Sequence, residues 1–142
     1  MMRITPCVVR VACVLALLLS IAGSATAETR FRVRGAGYVT EGDGYHARVS
    51  GGRFEYYSRG SRRPDLVYTL VGVEAGGRRI EVTPSPTTTA ARNVVCCDYG
   101  KALSESYTAG ASGVEQCWVI NQAPDAAGDI VIRGAVTSPL TP

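Results

Sequence analysis

Three groups of side chains in this 142-residue sequence have types and spacings that could do chemistry. The first is the adjacent thiol pair Cys96-Cys97 with Cys117 further along; the second is His46, the sole histidine; the third is the basic cluster Arg59-Gly60-Ser61-Arg62-Arg63, preceded by Phe54, Tyr56 and Tyr57. Thiols can bridge, switch or hold a metal. A histidine can move a proton. Guanidinium groups beside aromatic rings suit a carboxylate, a phosphate or a sulfated sugar.

Each group meets a competing account. For the thiols, three cysteines in an exported domain imply one bridge and one free thiol, or a bridge between chains. Adjacent residues of a strand project to opposite faces, so only one of Cys96 and Cys97 can turn toward Cys117. The face carrying Val95, Cys97 and Tyr99 is continuously apolar, whereas Cys96 shares its face with Asp98. The expected bridge is therefore Cys97 with Cys117, leaving Cys96 as the free thiol. It would close a loop of about 20 residues and contribute on the order of 3 kcal/mol by chain-entropy reasoning. A redox switch through Cys96-Cys97 is the lesser reading, because C-x-x-C spacing is missing and a bridge between neighbours needs a strained ring. Zinc held by the three thiols and His46 would require strand thiols that diverge to converge, so no metal and no cofactor is expected.

A single histidine eliminates H-E-x-x-H, and no G-x-S-x-G elbow occurs. His46 with Asp43 or Asp98 and a serine is the one remaining route to a small hydrolase, and no catalytic residue is assigned. Gly35-Ala36-Gly37 lacks the further glycine and helix of a dinucleotide site. For Arg59, Arg62 and Arg63, with Tyr56 and Tyr57, the competing role is a solvated loop that keeps sheet edges apart. Trp118 alternates with Gln116 and Ile120 away from Cys117, which reads as core in preference to a ligand platform.

The elements that must position these groups are strands. Short period-two segments bounded by glycine or proline recur along the chain, and no segment has a sustained i, i+3, i+4 apolar stripe. Phe31 and Val33 alternate with arginines; Gly42-Asp43-Gly44, Gly51-Gly52 and Gly76-Gly77 mark hairpin turns. Leu66 to Glu74 reads as a central strand, with Leu66, Tyr68 and Leu70 on one side and Val67, Val71 and Val73 on the other. Prolines at 84 and 86 make residues 83–90 an exposed Pro/Thr-rich loop. A short helical turn is allowed around Lys101 to Glu105. Strands follow over Asn93 to Tyr99, Val114 to Asn121 and Asp129 to Val136.

Ahead of this domain, Arg3 and Arg10 precede an apolar run over Val11 to Ile21, closed by Gly23-Ser24-Ala25-Thr26-Ala27 with the small-x-small pattern of a signal peptidase site at Ala25 and Ala27. The run is shorter than the about 20 residues of a membrane span. The expected organisation is a signal peptide, helical, at 1–27 and one domain at 28–142, secreted or periplasmic, with no membrane association after cleavage. With 46% hydrophobic and 19% charged residues the chain is not a disordered tail. The formal charge of +3 falls toward neutrality once Arg3 and Arg10 leave, so no field gathers nucleic acid.

The strand Leu66 to Val73, the Gly76-Gly77 turn into Arg79-Ile80-Glu81-Val82, and the stretches Ala109 to Ile120 and Gly128-Asp129-Ile130-Val131-Ile132 give a layout that resembles the telokin-like, immunoglobulin-type domains of secreted bacterial proteins, the mycobacterial immunoprotective extracellular proteins among them. The resemblance rests on hairpin rhythm. Glu74 stands where those domains often have asparagine, and the cysteines fall outside their pattern. What it implies is an all-β, antiparallel, immunoglobulin-like β-sandwich acting as a binding or interaction module, and it transfers no catalytic residue. The expected partner is a protein or an anionic surface ligand. The alternatives are the His46 hydrolase and a thiol-dependent switch or dimer through Cys96.

Overall fold

A computed structural model describes the main chain of residues 10–13 and the whole of residues 29–121 and 127–139. These residues are all β, with no helix among them, in two antiparallel sheets. The strands are β1 (Arg10–Cys13), β2 (Arg32–Arg34), β3 (Gly37–Gly42), β4 (Tyr45–Ser50), β5 (Arg53–Ser58), β6 (Leu66–Ala75), β7 (Arg78–Ile80), β8 (Thr87–Ala91), β9 (Val94–Asp98), β10 (Leu103–Gly110), β11 (Gly113–Ile120) and β12 (Ile130–Thr137). The larger sheet runs β12-β6-β5-β4-β3-β2, with β7 also on β6; the smaller runs β1-β11-β10-β9-β8. The expected signal helix lies outside the described residues, apart from Arg10–Cys13, which pair as a strand with β11.

Neighbours in sequence are neighbours in space because the turns are built for it. Gly51-Gly52 and Gly76-Gly77 hold φ of +56° and +77°, and of +53° and +76°. Both central residues of these turns are left-handed, as a tight hairpin whose strands keep their natural twist requires. Alternation then sorts the side chains. Tyr45, Ala47 and Val49 of β4 turn inward, as do Val95 and Cys97 of β9, and Leu103, Glu105, Tyr107 and Ala109 of β10. The sheets meet through aromatic contacts. Phe54 stacks on Tyr107 at 4.8 Å and 9°, and Tyr68 meets Trp118 edge-on at 6.1 Å and 62°.

Four details depart from simple alternation. In β6 the pairing with β12 slips: Arg133 faces Gly72 and Gly134 faces Leu70, so Val71 is an unpaired bulge residue, 56% exposed. The bulge inverts the phase, and Val73, expected opposite Tyr68, joins it in the core. Thr87 to Ala90 are strand, not loop. The prolines stop at Pro86, and the β-branched threonines beyond it pair with β9. Lys101 and Ala102 bend and the chain enters β10 at Leu103, so no helical turn forms.

The fourth detail concerns the expected Cys97–Cys117 bridge, which the structure corrects. Cys97 faces Glu105 across β9/β10 on the core side, while Cys117 faces Ser106, one residue out of phase, on the outer side. Trp118 points inward, so its neighbour Cys117 must point out. All three described cysteines are free: Cys96 exposed, Cys97 buried and Cys117 half-buried. Burial is the main influence that pushes the Cys97 thiol up to about 11, which keeps it protonated and unreactive.

The β6–β12 seam carries a sharp steric constraint. A methyl group added at Gly134 would fall inside the Tyr68 ring, which Trp118 backs from the opposite sheet. Gly134→Ala is expected to cost about 1–3 kcal/mol through displacement of that ring. Chemical denaturation measures it, and an unchanged midpoint would show that the ring is free to move aside.

Candidate functional site

The residues that could bind a ligand converge where the β3–β4 and β5–β6 connections meet. The β5–β6 loop is held by its own hydrogen bonds. Asp65 accepts the Ser58 N–H at 2.6 Å and the Ser61 hydroxyl at 3.3 Å; the Ser61 N–H donates to Ser58 O at 3.0 Å, across a turn with Gly60 at φ +83°. The Ser58 main-chain N–H is the leading cause that lowers the Asp65 carboxyl pKa, so the loop stays clamped at neutral pH. Arg59 donates its N–H to Gly44 O at 2.7 Å, and Asp65 its N–H to Tyr56 O at 2.8 Å. The loop is fixed against the neighbouring hairpin before any ligand arrives.

A concavity of about 190 Å³ opens between them, lined by Glu41, Gly42, Tyr45, His46, Arg59 and Gly60. Tyr45 forms its inner wall. Its ring stacks on Tyr56 at 5.5 Å, and its hydroxyl donates to the carbonyls of Gly110 at 2.6 Å and Gly113 at 3.0 Å in the opposite sheet. Burial, followed by the nearby Tyr56 and Asp43, pushes this hydroxyl up to about 12, so it acts only as a neutral donor. His46 stands opposite Glu41 on β3 and Tyr57 on β5, with its ring stacked on Tyr57 at 4.2 Å and 13°. The Tyr57 hydroxyl donates to Glu55 Oε2 at 3.1 Å, and Arg53 Nε to Glu55 Oε1 at 2.9 Å. Partial burial alone would raise the Glu55 carboxyl; the hydrogen bonds from Arg53 and Tyr57 outweigh it and hold it below its ordinary value. The imidazole thus rests on a braced ring.

The basic and aromatic candidates part company here. Arg59 lines the concavity, and Tyr57 supports it from beneath His46. Arg62 and Arg63 are exposed on the same loop but outside the lining, and Tyr56 packs toward the core against Tyr45. Arg59, Arg62 and Arg63 form no ion pair among the described residues, so their charge is available to a ligand. Sequence reasoning treated His46 and the arginine loop separately. What joins them is the Tyr45-to-Ser58 hairpin register, which sets His46 against Tyr57 and brings the start of the loop beside it. Glu41 and Tyr45 were not singled out as lining residues; their position opposite His46 and Gly42 in the hairpin was the available signal.

A second polar cluster lies between the sheets. Glu105, 1% exposed, accepts hydrogen bonds from the Tyr99 hydroxyl at 2.8 Å and from Gln116 Nε2, which also donates to the Tyr107 hydroxyl at 3.3 Å. Its partners come from β10, β11 and the end of β9, so it serves as an interior tie. Among the described residues, no group of three His, Cys, Asp or Glu side chains could hold a metal ion.

No protein-family model, curated protein or solved structure matches the chain.

Proposed function

We propose that this chain is an exported binding module that holds an anionic group of a larger partner in the concavity between the β3–β4 and β5–β6 connections, without catalysing a reaction. The observation that carries the reading is Arg59: a guanidinium without an ion-pair partner among the described residues, on a loop clamped in place, at the rim of a concavity that also presents His46. A volume of about 190 Å³ fits a carboxylate, phosphate or sulfate group and is too small for a drug-sized molecule. Because the loop is ordered in advance, little entropy is lost on binding. Glu41 on the lining repels an anion from its own side and leaves Arg59 as the anchor. Arg62 and Arg63, outside the lining, contribute to attraction at a distance.

The finer features belong to the same reading. An immunoglobulin-like sandwich is supported by the two antiparallel sheets and by the long return of β12 to β6. Export is supported by the leader pattern ending at Ala27. A secreted hydrolase is the alternative, favoured by the presence of His46 and Glu41 in one concavity.

Titration with inorganic sulfate and with a sulfated disaccharide, followed by calorimetry at low ionic strength, tests the proposal. Arg59→Ala is expected to weaken binding at least tenfold, since a charge-assisted hydrogen bond is worth about 1.5–3 kcal/mol. Arg62→Ala should act mainly at low salt. Equal affinity in wild type and Arg59→Ala, or binding of neither probe, would remove the basis for this site. A hydrolytic activity abolished by His46→Ala would select the alternative.

A further inference from the structure

Apart from the short β7, which carries Arg78 and Arg79, the edges that remain once Arg10–Cys13 is set aside are β2, β8, β11 and β12, and three of these four are defended against pairing with another chain. β2 carries Arg32 and Arg34; β8 is entered through Pro84 and Pro86; β12 lies across from the Val71 bulge of β6 and holds Arg133 in an ion pair with Glu74. β11 has no such device. Gly113–Ile120 contains no lysine, arginine or proline, and its single charge is Glu115. What lies along that edge is Arg10–Cys13, antiparallel, with Arg10 opposite Val119 and Ala12 opposite Cys117. That segment falls within the stretch read as a leader, so its removal opens the edge.

Two hydrogen bonds fix which main-chain groups the open edge offers. The Asn121 N–H donates to Ala102 O at 2.8 Å, on the β10 side, and the Ala109 N–H donates to Asn93 O at 2.8 Å, on the β9 side. Alternation then turns the amides of Glu115, Cys117 and Val119 toward β10, and those of Val114, Gln116, Trp118 and Ile120 toward the open edge. Cys117 therefore sits in a non-hydrogen-bonded slot, where an incoming antiparallel strand brings its Cα to roughly 4.5 Å.

We propose that, after leader removal, β11 pairs antiparallel with β11 of a second copy about a two-fold axis at Cys117, joining the two smaller sheets into one continuous sheet. The inference rests on the leader reading and is independent of the anion site. The strand is complementary to itself in this register. Gln116 faces the partner's Trp118, and Val114 faces the partner's Ile120, all with amides pointing across the seam. Glu115 faces the partner's Val119, so the one charge avoids its own copy. A register centred on Glu115 would set two carboxylates face to face, and one centred on Val119 would engage fewer residues.

The two Cys117 side chains then meet at a spacing within the range a disulfide accepts. Cys96, on the same outer face, lies beyond β10 and thus two strand spacings of roughly 4.8 Å away, out of reach of Cys117 in its own chain. A small-molecule disulfide serves as oxidant. One Cys117 thiolate attacks it, forming a mixed disulfide and releasing one thiol; the second Cys117 thiolate attacks the first Cys117 Sγ and releases the other thiol. The protein pair gives up two electrons and two protons, which leave on the oxidant's two sulfurs.

The full-length chain, expressed in an exporting host and purified from the exported fraction, provides the test. Intact mass fixes where the chain begins, sedimentation its assembly state, and a non-reducing gel after treatment with oxidised glutathione its cross-link. The expected protein lacks the leader and is dimeric. It cross-links as wild type and as Cys96→Ser but not as Cys117→Ser, which still sediments as a dimer. Val119→Glu, set against the partner's Glu115 at two symmetric places, is expected to weaken the dimer about tenfold, and adding Glu115→Lys to restore it. A leaderless monomer, a dimer linked only through Cys96, or a dimer indifferent to Val119→Glu overturns the proposal. An exported monomer that retains its leader overturns the leader reading instead, and the mass distinguishes the two failures.

Discussion

Glu105→Ala is expected to lower the free energy of unfolding by about 3–5 kcal/mol, a large part of the roughly 5–15 kcal/mol that holds a domain of this size together. The truncation leaves the Tyr99 hydroxyl and the Gln116 amide without their acceptor, and it opens a cavity between the sheets. Glu105→Gln keeps the volume and one accepting oxygen, so its loss should be far smaller. The two variants also separate by pH. Burial is the dominant influence on Glu105 and raises its pKa, against the hydrogen bonds from Gln116 and Tyr99 that lower it. The folded chain therefore keeps a proton that the unfolded chain releases near its ordinary pKa of about 4.3. Its stabilisation is fully present below that value and declines as pH rises through the raised folded pKa. Denaturation of wild type from about pH 4 to about pH 8, followed by tryptophan fluorescence, should show this decline, and Glu105→Gln should flatten it. Identical slopes in the two proteins would mean that Glu105 does not hold the proton.

Trp118→Ala should be comparably damaging, at about 3–5 kcal/mol, because this ring spans the gap between the sheets and is only 8% exposed. It meets Tyr68 of β6 edge-on, so its loss also loosens the ring that covers Gly134. Trp118→Phe retains most of the buried area. It also removes the indole N–H, which has no hydrogen-bond partner among the described residues, so the phenylalanine variant is expected to lose much less. Because Trp118 is the single tryptophan, these two variants are followed by far-ultraviolet circular dichroism. An alanine variant as stable as wild type would place the ring outside the structural core.

Much of the fold was legible because its turns are written in glycine and its strands in alternation. The Gly51-Gly52 and Gly76-Gly77 hairpins, the inward row Tyr45, Ala47, Val49 and the central place of Leu66–Ala75 follow from local pattern alone. What escaped is whatever depends on phase between strands. One bulge residue, Val71, reverses the faces of β6 beyond it, and no side chain in the strand announces it. The cysteine pairing failed for a related reason. Placing Trp118 inward already commits Cys117 to the outer face, and the apolar surroundings of Cys97 could not override that geometry. The candidate site was half legible: His46, Tyr57 and Arg59 were each identifiable by type, but the hairpin register that gathers them was not. Glu105 was invisible as a buried group, since Tyr99 and Gln116 reach it from separate segments.

β12 sets the order in which this protein can finish. Among the described strands from β2 onward, every other pairing joins segments adjacent in sequence, whereas Ile130 to Thr137 must travel back to lie along β6 from Ala75 to Val67. A chain synthesised amino end first can zip its hairpins as they emerge, yet that flank of β6 stays bare until the last strand arrives. The vulnerable interval for proteolysis or mispairing therefore lasts through nearly the whole of synthesis, and a premature stop ahead of Ile130 would make it permanent.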